Sequence, residues 1–145
     1  MRGEHNWGRN SILQLNWVFD EYFVTPELWR RVFEPNGIGC RPVTNARAVE
    51  LTAVVQLDIR EDADVSTTDL AFEGCGRCGR RKYLPITRGP FPHLVTSPRA
   101  DMAKTRQYFG SGASAFHGVL VSQKLCRILR DQKVRGVEYK PVAAE

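Results

Sequence analysis

Residues 49–60 read Val-Glu-Leu-Thr-Ala-Val-Val-Gln-Leu-Asp-Ile-Arg, with an apolar side chain at every odd position. The even positions are polar or charged, apart from Val54. This alternation is typical of a strand that buries one face, because successive side chains point to opposite sides of a sheet. A sheet with one solvated face is usually antiparallel. The run therefore predicts a half-buried strand, or two strands joined by a bulge, in a sheet that is at least partly antiparallel.

The segment upstream of this strand predicts a second strand and a helix. Apolar and aromatic side chains alternate through residues 11–24, which indicates another half-buried strand. Thr25 and Pro26 then form a helix start, because a hydroxyl can cap the first amides and proline fits the first turn. The apolar spacing that follows predicts an amphipathic helix that ends near Glu34, before a Pro-Asn-Gly sequence.

Similar signals occur downstream. Ser97 and Pro98 repeat the hydroxyl and proline pair, and they predict a short helix at residues 99–109. Residues 110–114 read Gly-Ser-Gly-Ala-Ser, which is typical of a flexible linker. Residues 15–43 and 116–142 share an order of strand, hydroxyl residue, short amphipathic helix, glycine turn and strand, so they predict a pseudo-repeat.

The length and composition limit the architecture. With 145 residues, of which 42% are hydrophobic, the chain is long enough for one compact domain and short for two. We predict a single α+β domain over residues 1–145, with a mostly antiparallel or mixed sheet, two or three short helices and a CxxCG turn. No apolar run approaches the ~20 residues of a transmembrane helix, so no membrane contact is predicted. Four cysteines and a polar N-terminal segment predict a reducing, cytoplasmic location.

The sharpest local motif is a CxxCG turn near the middle of the chain, at Cys75 and Cys78. Two thiols separated by two residues can converge on one metal ion, and the glycines allow the tight turn that directs backbone amides toward the sulfurs. A structural zinc ion has four protein ligands, so a zinc site at this turn needs two more. The candidates for the missing pair are Cys40, Cys126, His5, His93 and His117.

Other roles of the turn stay open. A redox CxxC usually begins a helix after a buried strand, and the basic residues after Cys78 fit that context poorly. A metal-free turn is a third interpretation. A cysteine nucleophile at Cys75 or Cys78, with His93 or His117 as its base, is a further hypothesis, although single histidines in glycine- and proline-rich loops are usually surface residues. We find no readable catalytic motif around them, so we predict that the protein is not an enzyme.

The net charge of +5 hides an asymmetry between the two halves of the chain. Residues 1–73 contain 7 Lys and Arg against 12 Asp and Glu, whereas residues 74–145 contain 14 against 4. The sign of the charge therefore changes at the CxxCG turn. A basic half is typical of proteins that bind nucleic acid or an acidic protein, and it is also expected where two halves of opposite charge pack together.

The order of these features resembles the bacterial double-CXXCG-motif proteins, and the resemblance covers most of residues 15–142. It implies an immunity protein for a contact-delivered toxin, and the C-terminal part is also similar to other immunity families. The first CxxCG of the family has no counterpart in this sequence, so the resemblance leaves two ligands of a shared zinc ion unassigned. Besides an aromatic strand with its helix, the matching segments are Gly37-Ile38-Gly39, Cys75-Gly76-Arg77-Cys78-Gly79-Arg80-Arg81, Val119-Leu120-Val121-Ser122 and Gly136-Val137-Glu138-Tyr139.

Two hypotheses follow for the function. The first is a non-enzymatic immunity protein that binds and neutralises a cognate bacterial toxin through a basic docking surface. The second is a zinc-knuckle-like module whose basic C-terminal half binds nucleic acid, with Tyr83 and Phe91 stacking on bases. The residues predicted to form the basic docking surface are Arg77, Arg80, Arg81 and Lys82.

Overall fold

The computed structural model describes residues 7–15 and 18–145. His5, one of the predicted zinc ligands, lies outside the described residues. Two sheets carry the fold, and the predicted α+β class with mostly antiparallel or mixed sheets is confirmed. Among the helices of the described residues, none is long and apolar enough to span a membrane.

The first sheet is antiparallel and lies entirely within the acidic half of the chain. Its strands are adjacent in the order β1-β2-β4-β3. Each pair of neighbours in this sheet runs antiparallel. The strands are β1 (Ile12–Leu15), β2 (Val18–Val24), β3 (Gly39–Thr44) and β4 (Glu50–Asp58).

The second sheet is mixed and is built around its longest strand, β9. Strand β10 pairs with β9 antiparallel along its length, so β5 and β7 share the opposite edge of β9, where both run parallel to it. The outer strands β6 and β8 pair antiparallel with β7 and β5. The strands are β5 (Asp62–Val65), β6 (Phe72–Gly74), β7 (Arg81–Tyr83), β8 (Leu94–Thr96), β9 (Met102–Phe109) and β10 (Phe116–Val121).

The strand predicted at residues 49–60 is confirmed as β4, but its burial differs from the prediction. Leu57 is buried as expected, whereas Val49 is 57% exposed and Leu51 is 38% exposed. Val54 and Asp58, which the alternation placed on the solvated face, are both buried. The N-terminal part of β4 pairs with β3 and extends past β2, which contacts β4 only near its C-terminal end. Only the C-terminal part of the strand therefore lies against the core.

The single strand predicted at residues 11–24 is wrong, because β1 and β2 form an antiparallel pair. Ile12 pairs with Val24, and Leu15 pairs with Val18. Asn16 and Trp17, between these strands, lie outside the described residues. Alternating side chains do not reveal where a strand folds back on itself, so the pattern missed the second strand.

The helix start at Thr25 is confirmed. The Thr25 hydroxyl accepts a hydrogen bond from the Leu28 backbone N–H at 3.2 Å. The short helix α1 (Pro26–Leu28) continues as a π-helical turn (Trp29–Phe33) and a 3₁₀ turn (Glu34–Asn36). Gly37, with φ +76°, ends this helical segment in the left-handed conformation that favours glycine.

The helix predicted at residues 99–109 is wrong, because this segment contains β9. The backbone N–H groups of Arg99 and Ala100 donate to the Glu61 carboxylate, so they do not begin a helical turn. Downstream, Ala103 and Thr105 are completely buried in a strand with neighbours on both edges. Pairing with three other strands outweighs the local helix signal.

The second capped helix is also confirmed. The Ser122 hydroxyl accepts from the Leu125 N–H at 3.0 Å, and α2 (Gln123–Asp131) buries Leu125 and Leu129. The terminal strand predicted after it is wrong, since the last segment contributes a single parallel bridge between Phe91 and Val142. The two predicted repeats therefore share strand, cap and helix, while the second repeat ends without a strand.

One hydrophobic cluster joins the first sheet, both helical segments and the start of β9. The helical residues Leu28, Phe33 and Leu125 are each at most 1% exposed. This packing fixes the first sheet and the helices, whereas the hairpin formed by β6 and β7 lies on the far edge of the second sheet. The buried members of the cluster are Ile12, Val24, Leu28, Val32, Phe33, Ile38, Leu57, Met102, Leu125 and Leu129.

Candidate functional site

The CxxCG turn connects β6 and β7, and residues 72–83 are called the CxxCG hairpin below. The Cys75 N–H donates to the Arg80 carbonyl at 2.9 Å, and the Gly79 N–H donates to the Cys75 carbonyl at 2.9 Å. Gly79 has φ +70°, a conformation that side chains other than glycine rarely adopt. Residues 71–80 are all exposed. The turn is therefore a tight, closed loop that presents its side chains to solvent.

The two hairpin cysteines are free thiols at the surface. Hydrogen bonds from the backbone N–H groups of Cys78 and Arg77, together with the nearby Arg80 charge, lower the pKa of the Cys75 thiol below its usual range. Amides directed at a sulfur stabilise its thiolate, which is the form that binds metal. The backbone of the turn therefore favours the thiolate of Cys75.

The other predicted zinc ligands lie on separate elements of the fold. Cys40 is on β3, Cys126 is on α2, His93 precedes β8 and His117 is on β10. Within residues 7–15 and 18–145, no group of three or more His, Cys, Asp or Glu could hold a metal ion. The described part of one chain therefore brings together Cys75 and Cys78 without a third ligand.

His117, also considered as a catalytic base, is engaged inside the second sheet. Its Nδ1 atom lies 2.7 Å from the Thr105 carbonyl oxygen, and its ring lies 4.2 Å from the ring of Tyr108. Its backbone N–H donates to Asp20 at 3.0 Å, which links the second sheet to the first. The hydrogen bonds that lower the pKa of the Cys75 thiol come instead from Cys78 and Arg77 of its own turn, and His117 is not among them.

One face of the CxxCG hairpin continues a row of aromatic rings across the second sheet. The ring of Tyr83 lies 6.1 Å from that of Phe72 and 6.1 Å from that of Phe109, and Phe91 follows at 5.2 Å from Phe109. Phe72 is 51% exposed at the outer end of the row. The Arg81 guanidinium lies over this exposed ring, 4.6 Å from its centroid. Tyr83 and Phe91, predicted to stack on bases, are half-buried within the row.

The opposite face holds a second arginine in the same way. The Arg80 guanidinium lies 4.7 Å from the centroid of the Tyr108 ring, which in turn packs on His117. A guanidinium over an aromatic ring is held by electrostatic attraction and keeps its N–H donors free at the edges. Among the described residues, no ion pair involves Arg77, Arg80 or Arg81. These three residues are called the hairpin arginines.

Lys82, the fourth residue predicted for the docking surface, has a different role. Its side chain is 16% exposed, and it lies 3.5 Å from Glu73. The ammonium group also donates to the Ser114 carbonyl at 3.2 Å and to the Gly112 carbonyl. Lys82 therefore fastens the loop between β9 and β10 to the hairpin. Of the four residues predicted for the docking surface, the three hairpin arginines are the exposed ones.

A second arginine cluster lies at the end of β4, and the sequence did not point to it. The Asp58 carboxylate, whose side chain is 3% exposed, lies 2.5 Å from Arg60 Nε and 2.6 Å from Arg41 Nη2. The hydrogen bond from Arg60 has the largest effect on the pKa of Asp58, and together with the neighbouring Arg41 guanidinium it holds that pKa below its usual range, although burial acts in the opposite direction. Arg41, Asp58 and Arg60 are called the Asp58 cluster. The one feature of the sequence that could have indicated this cluster is an acidic residue between two apolar residues, Leu57 and Ile59.

Opposite charges from the two halves of the chain meet between the sheets. Lys104 on β9 pairs with Glu21 on β2 at 2.5 Å, and both side chains are largely buried. Glu21 also accepts from Gln56 at 2.7 Å. Some of the charge asymmetry is therefore used inside the molecule, whereas the hairpin arginines remain on its surface.

No family model matches this chain, no curated protein matches its sequence, and no solved structure matches its fold. The resemblance to double-CXXCG-motif proteins therefore stays a prediction. The function has to be inferred from the surface chemistry of the molecule, above all from the hairpin arginines.

Proposed function

We propose that this protein is a non-enzymatic immunity protein that binds and neutralises a cognate bacterial toxin. The hairpin arginines would contact acidic groups of that toxin, Arg81 from one face of the CxxCG hairpin and Arg80 from the other. The observation that carries the proposal is the arrangement of Arg80 and Arg81, each held over an aromatic ring at 4.7 and 4.6 Å with no carboxylate partner among the described residues.

This arrangement suits a binding surface because it reduces the cost of association. An arginine that must be immobilised on binding loses about 0.5–1.5 kcal/mol of side-chain entropy. Stacking on Tyr108 and Phe72 restricts the two guanidinium groups in advance. Arginine and aromatic side chains are also the residue types that most often dominate the energy of protein interfaces.

The charge distribution supports the same partner chemistry. The half of the chain that carries the CxxCG hairpin has 14 basic residues against 4 acidic ones. A surface of one sign attracts a partner of the opposite sign before contact and raises the association rate, most strongly at low salt. An acidic toxin surface would therefore be captured quickly.

The test is co-expression with the product of the neighbouring gene, measuring rescue of growth and co-purification. We expect growth rescue and a stable one-to-one complex. The triple variant R77A/R80A/R81A should lose both, since truncating one anchor arginine can cost about 2 kcal/mol, or about 30-fold in Kd. A harmless neighbour that does not co-purify would refute the proposal.

A charge-matched variant controls for the loss of three positive charges. Arg88, Arg99 and Arg127 are exposed and lie outside the CxxCG hairpin. The variant R88A/R99A/R127A has the same net charge as the hairpin variant. It should weaken the complex only to the extent that long-range electrostatic attraction is lost. Equal losses in the two variants would show that charge alone, and not the hairpin surface, supports the complex.

A second candidate function is the binding of single-stranded nucleic acid by the same hairpin. The specific observation in its favour is the exposed Phe72 ring beside Arg81, because bases stack on aromatic rings and arginines contact phosphates. Titration of labelled single-stranded and duplex oligonucleotides at two salt concentrations tests this function. Tight binding that weakens steeply with salt and is lost in the F72A variant would favour nucleic acid over a protein toxin.

A further inference from the structure

The CxxCG hairpin supplies two of the four ligands that a structural zinc ion requires. Two backbone hydrogen bonds close the turn, from the Cys75 N–H to the Arg80 carbonyl and from the Gly79 N–H to the Cys75 carbonyl, so both cysteines belong to one tight loop. Both thiols are exposed, and no third ligand joins them in the described part of the chain. Additional ligands would therefore come from outside the described part of the chain, and solvent and a second molecule are two such sources.

Solvent is a poor source of the missing ligands. Structural zinc sites use four protein ligands, and even catalytic zinc sites use three beside one water. A hairpin that offered two thiolates and two waters would hold zinc weakly. A second copy of the same turn, in contrast, offers two further thiolates that are already arranged for the same ion.

We propose that two copies of this chain share one zinc ion, each contributing Cys75 and Cys78. The site would be tetrahedral with four sulfur ligands, and a two-fold axis would pass through the metal, as is common for homodimers. The hairpin permits this arrangement because its tip is exposed over residues 71–80 and lies at the outer edge of the second sheet.

The charges of the hairpin make the association depend on metal. Two tips that each carry Arg77 and Arg80 repel one another, so we expect the metal-free chain to be monomeric. One Zn²⁺ with four thiolates has a net charge of −2, which the arginines of both copies can offset. The ion therefore turns a repulsive contact into an attractive one.

The test uses the full-length chain, stripped of metal with a chelator under reducing conditions and then titrated with Zn²⁺. Sedimentation velocity measures the mass, and elemental analysis after gel filtration measures the zinc content. We expect a monomer without metal and a dimer with one zinc ion per two chains. Substitution of Co²⁺ for Zn²⁺ should give the absorption spectrum of tetrahedral cobalt with four sulfur ligands.

Two variants with the same number of cysteines removed complete the experiment. The C75S/C78S variant changes exposed positions, so it should fold normally, remain monomeric and retain no zinc. The C40S/C126S variant keeps the CxxCG hairpin and should dimerise like the wild-type chain. One zinc ion per monomer, no retained zinc, or equal dimerisation of the C75S/C78S variant would each overturn the proposal.

This proposal does not depend on the immunity function. The zinc titration uses the purified chain alone, and the co-expression experiment can be repeated with the C75S/C78S variant. Rescue of growth by a variant that cannot dimerise would uphold the docking role of the hairpin arginines independently of the metal. Zinc-dependent dimerisation without any toxin partner would uphold only the metal site.

Discussion

The Asp58 cluster and the hairpin arginines show two uses of the same side chain. Arg41 and Arg60 both contact one buried carboxylate, at 2.6 and 2.5 Å. Arg80 and Arg81 instead lie on aromatic rings, and no ion pair joins them to a carboxylate among the described residues. Arginines with a buried partner contribute to the fold, whereas Arg80 and Arg81 keep N–H donors at an exposed surface.

The two regions also differ in how they are connected to the core. Asp58 is the last residue of β4, and the residue before it, Leu57, belongs to the hydrophobic cluster. The CxxCG hairpin contains two strands of three residues each, β6 and β7, at the edge of the second sheet. It is attached to the rest of that sheet where β7 pairs with β9. Substitutions in the Asp58 cluster should therefore change stability, and those of the hairpin arginines should mainly change binding.

The largest stability effect is expected for Asp58→Asn. The substitution keeps the shape of the side chain but replaces the buried carboxylate, which attracts both exposed guanidinium groups, with a neutral amide that binds them more weakly. We expect a clear fall in the urea midpoint at pH 7, measured by circular dichroism. The matched control is Glu73→Gln in the CxxCG hairpin, because Glu73 is half-exposed and lies 3.5 Å from Lys82. Equal midpoints for the two variants would contradict the contrast between the regions.

The pH dependence of stability sharpens the same comparison. The pKa of Asp58 is lowered in the folded chain, so its contribution to stability is complete above the ordinary aspartate pKa of 3.8 and is lost as the pH falls through the folded value. We expect the unfolding free energy of the wild-type chain to decline below about pH 4. The D58N variant should decline less, so the two curves should converge in acid.

Asp101 provides an internal reference for that experiment. Its pKa is also lowered, first by the hydrogen bond from the Ser122 hydroxyl at 2.6 Å and then by Lys124 at 3.1 Å. The D58N variant keeps this second acid-sensitive group, so its curve should retain some slope in acid. Parallel curves for wild type and D58N would show that Asp58 does not carry the pH dependence assigned to it.

Local signals in the sequence predicted the local features of the fold. The hydroxyl caps at Thr25 and Ser122, the strand β4 and the CxxCG turn all depend on residues within a few positions of each other. Ser97 and Pro98 carry the same local signal, yet a strand follows, because Glu61 binds the amides that a helix would have used. Where distant residues compete for the same backbone groups, a local pattern does not decide the outcome.

The roles of the basic residues were the hardest to predict for the same reason. The sequence grouped Lys82 with the hairpin arginines, but its partners Gly112 and Ser114 lie 30 and 32 residues away, in the loop between β9 and β10. Arg41 likewise meets Asp58 only because β3 pairs with β4. A cluster of positive charge in the sequence thus identified an exposed arginine surface, although it could not separate the residue that holds a loop from those that face solvent.

An intermediate stability effect is expected for Lys82→Ala. The substitution removes hydrogen bonds from a mostly buried ammonium group to two carbonyl oxygens, which should cost about 1.5 kcal/mol. Arg80→Ala and Arg81→Ala should each cost less than about 1 kcal/mol, because they lose only an exposed ring contact. Chemical denaturation measures all three. A cost for Lys82→Ala that is no larger than the cost for the arginines would place Lys82 back in the docking surface.

The smallest effect, and the most direct test of the docking surface, is the coupling between Arg81 and Phe72. A double-mutant cycle with Arg81→Ala and Phe72→Leu should give a coupling free energy of about 0.5 kcal/mol, as expected for an exposed guanidinium over a ring. Arg81→Lys should lose part of it, because an ammonium group keeps the charge without the planar stacking.

The same cycle can be measured on the affinity of a partner once one is isolated. If Phe72→Leu weakens the complex only when Arg81 is present, the ring acts by holding the guanidinium in place. If it weakens the complex equally without Arg81, Phe72 is itself the contact, and the hairpin binds through its aromatic face.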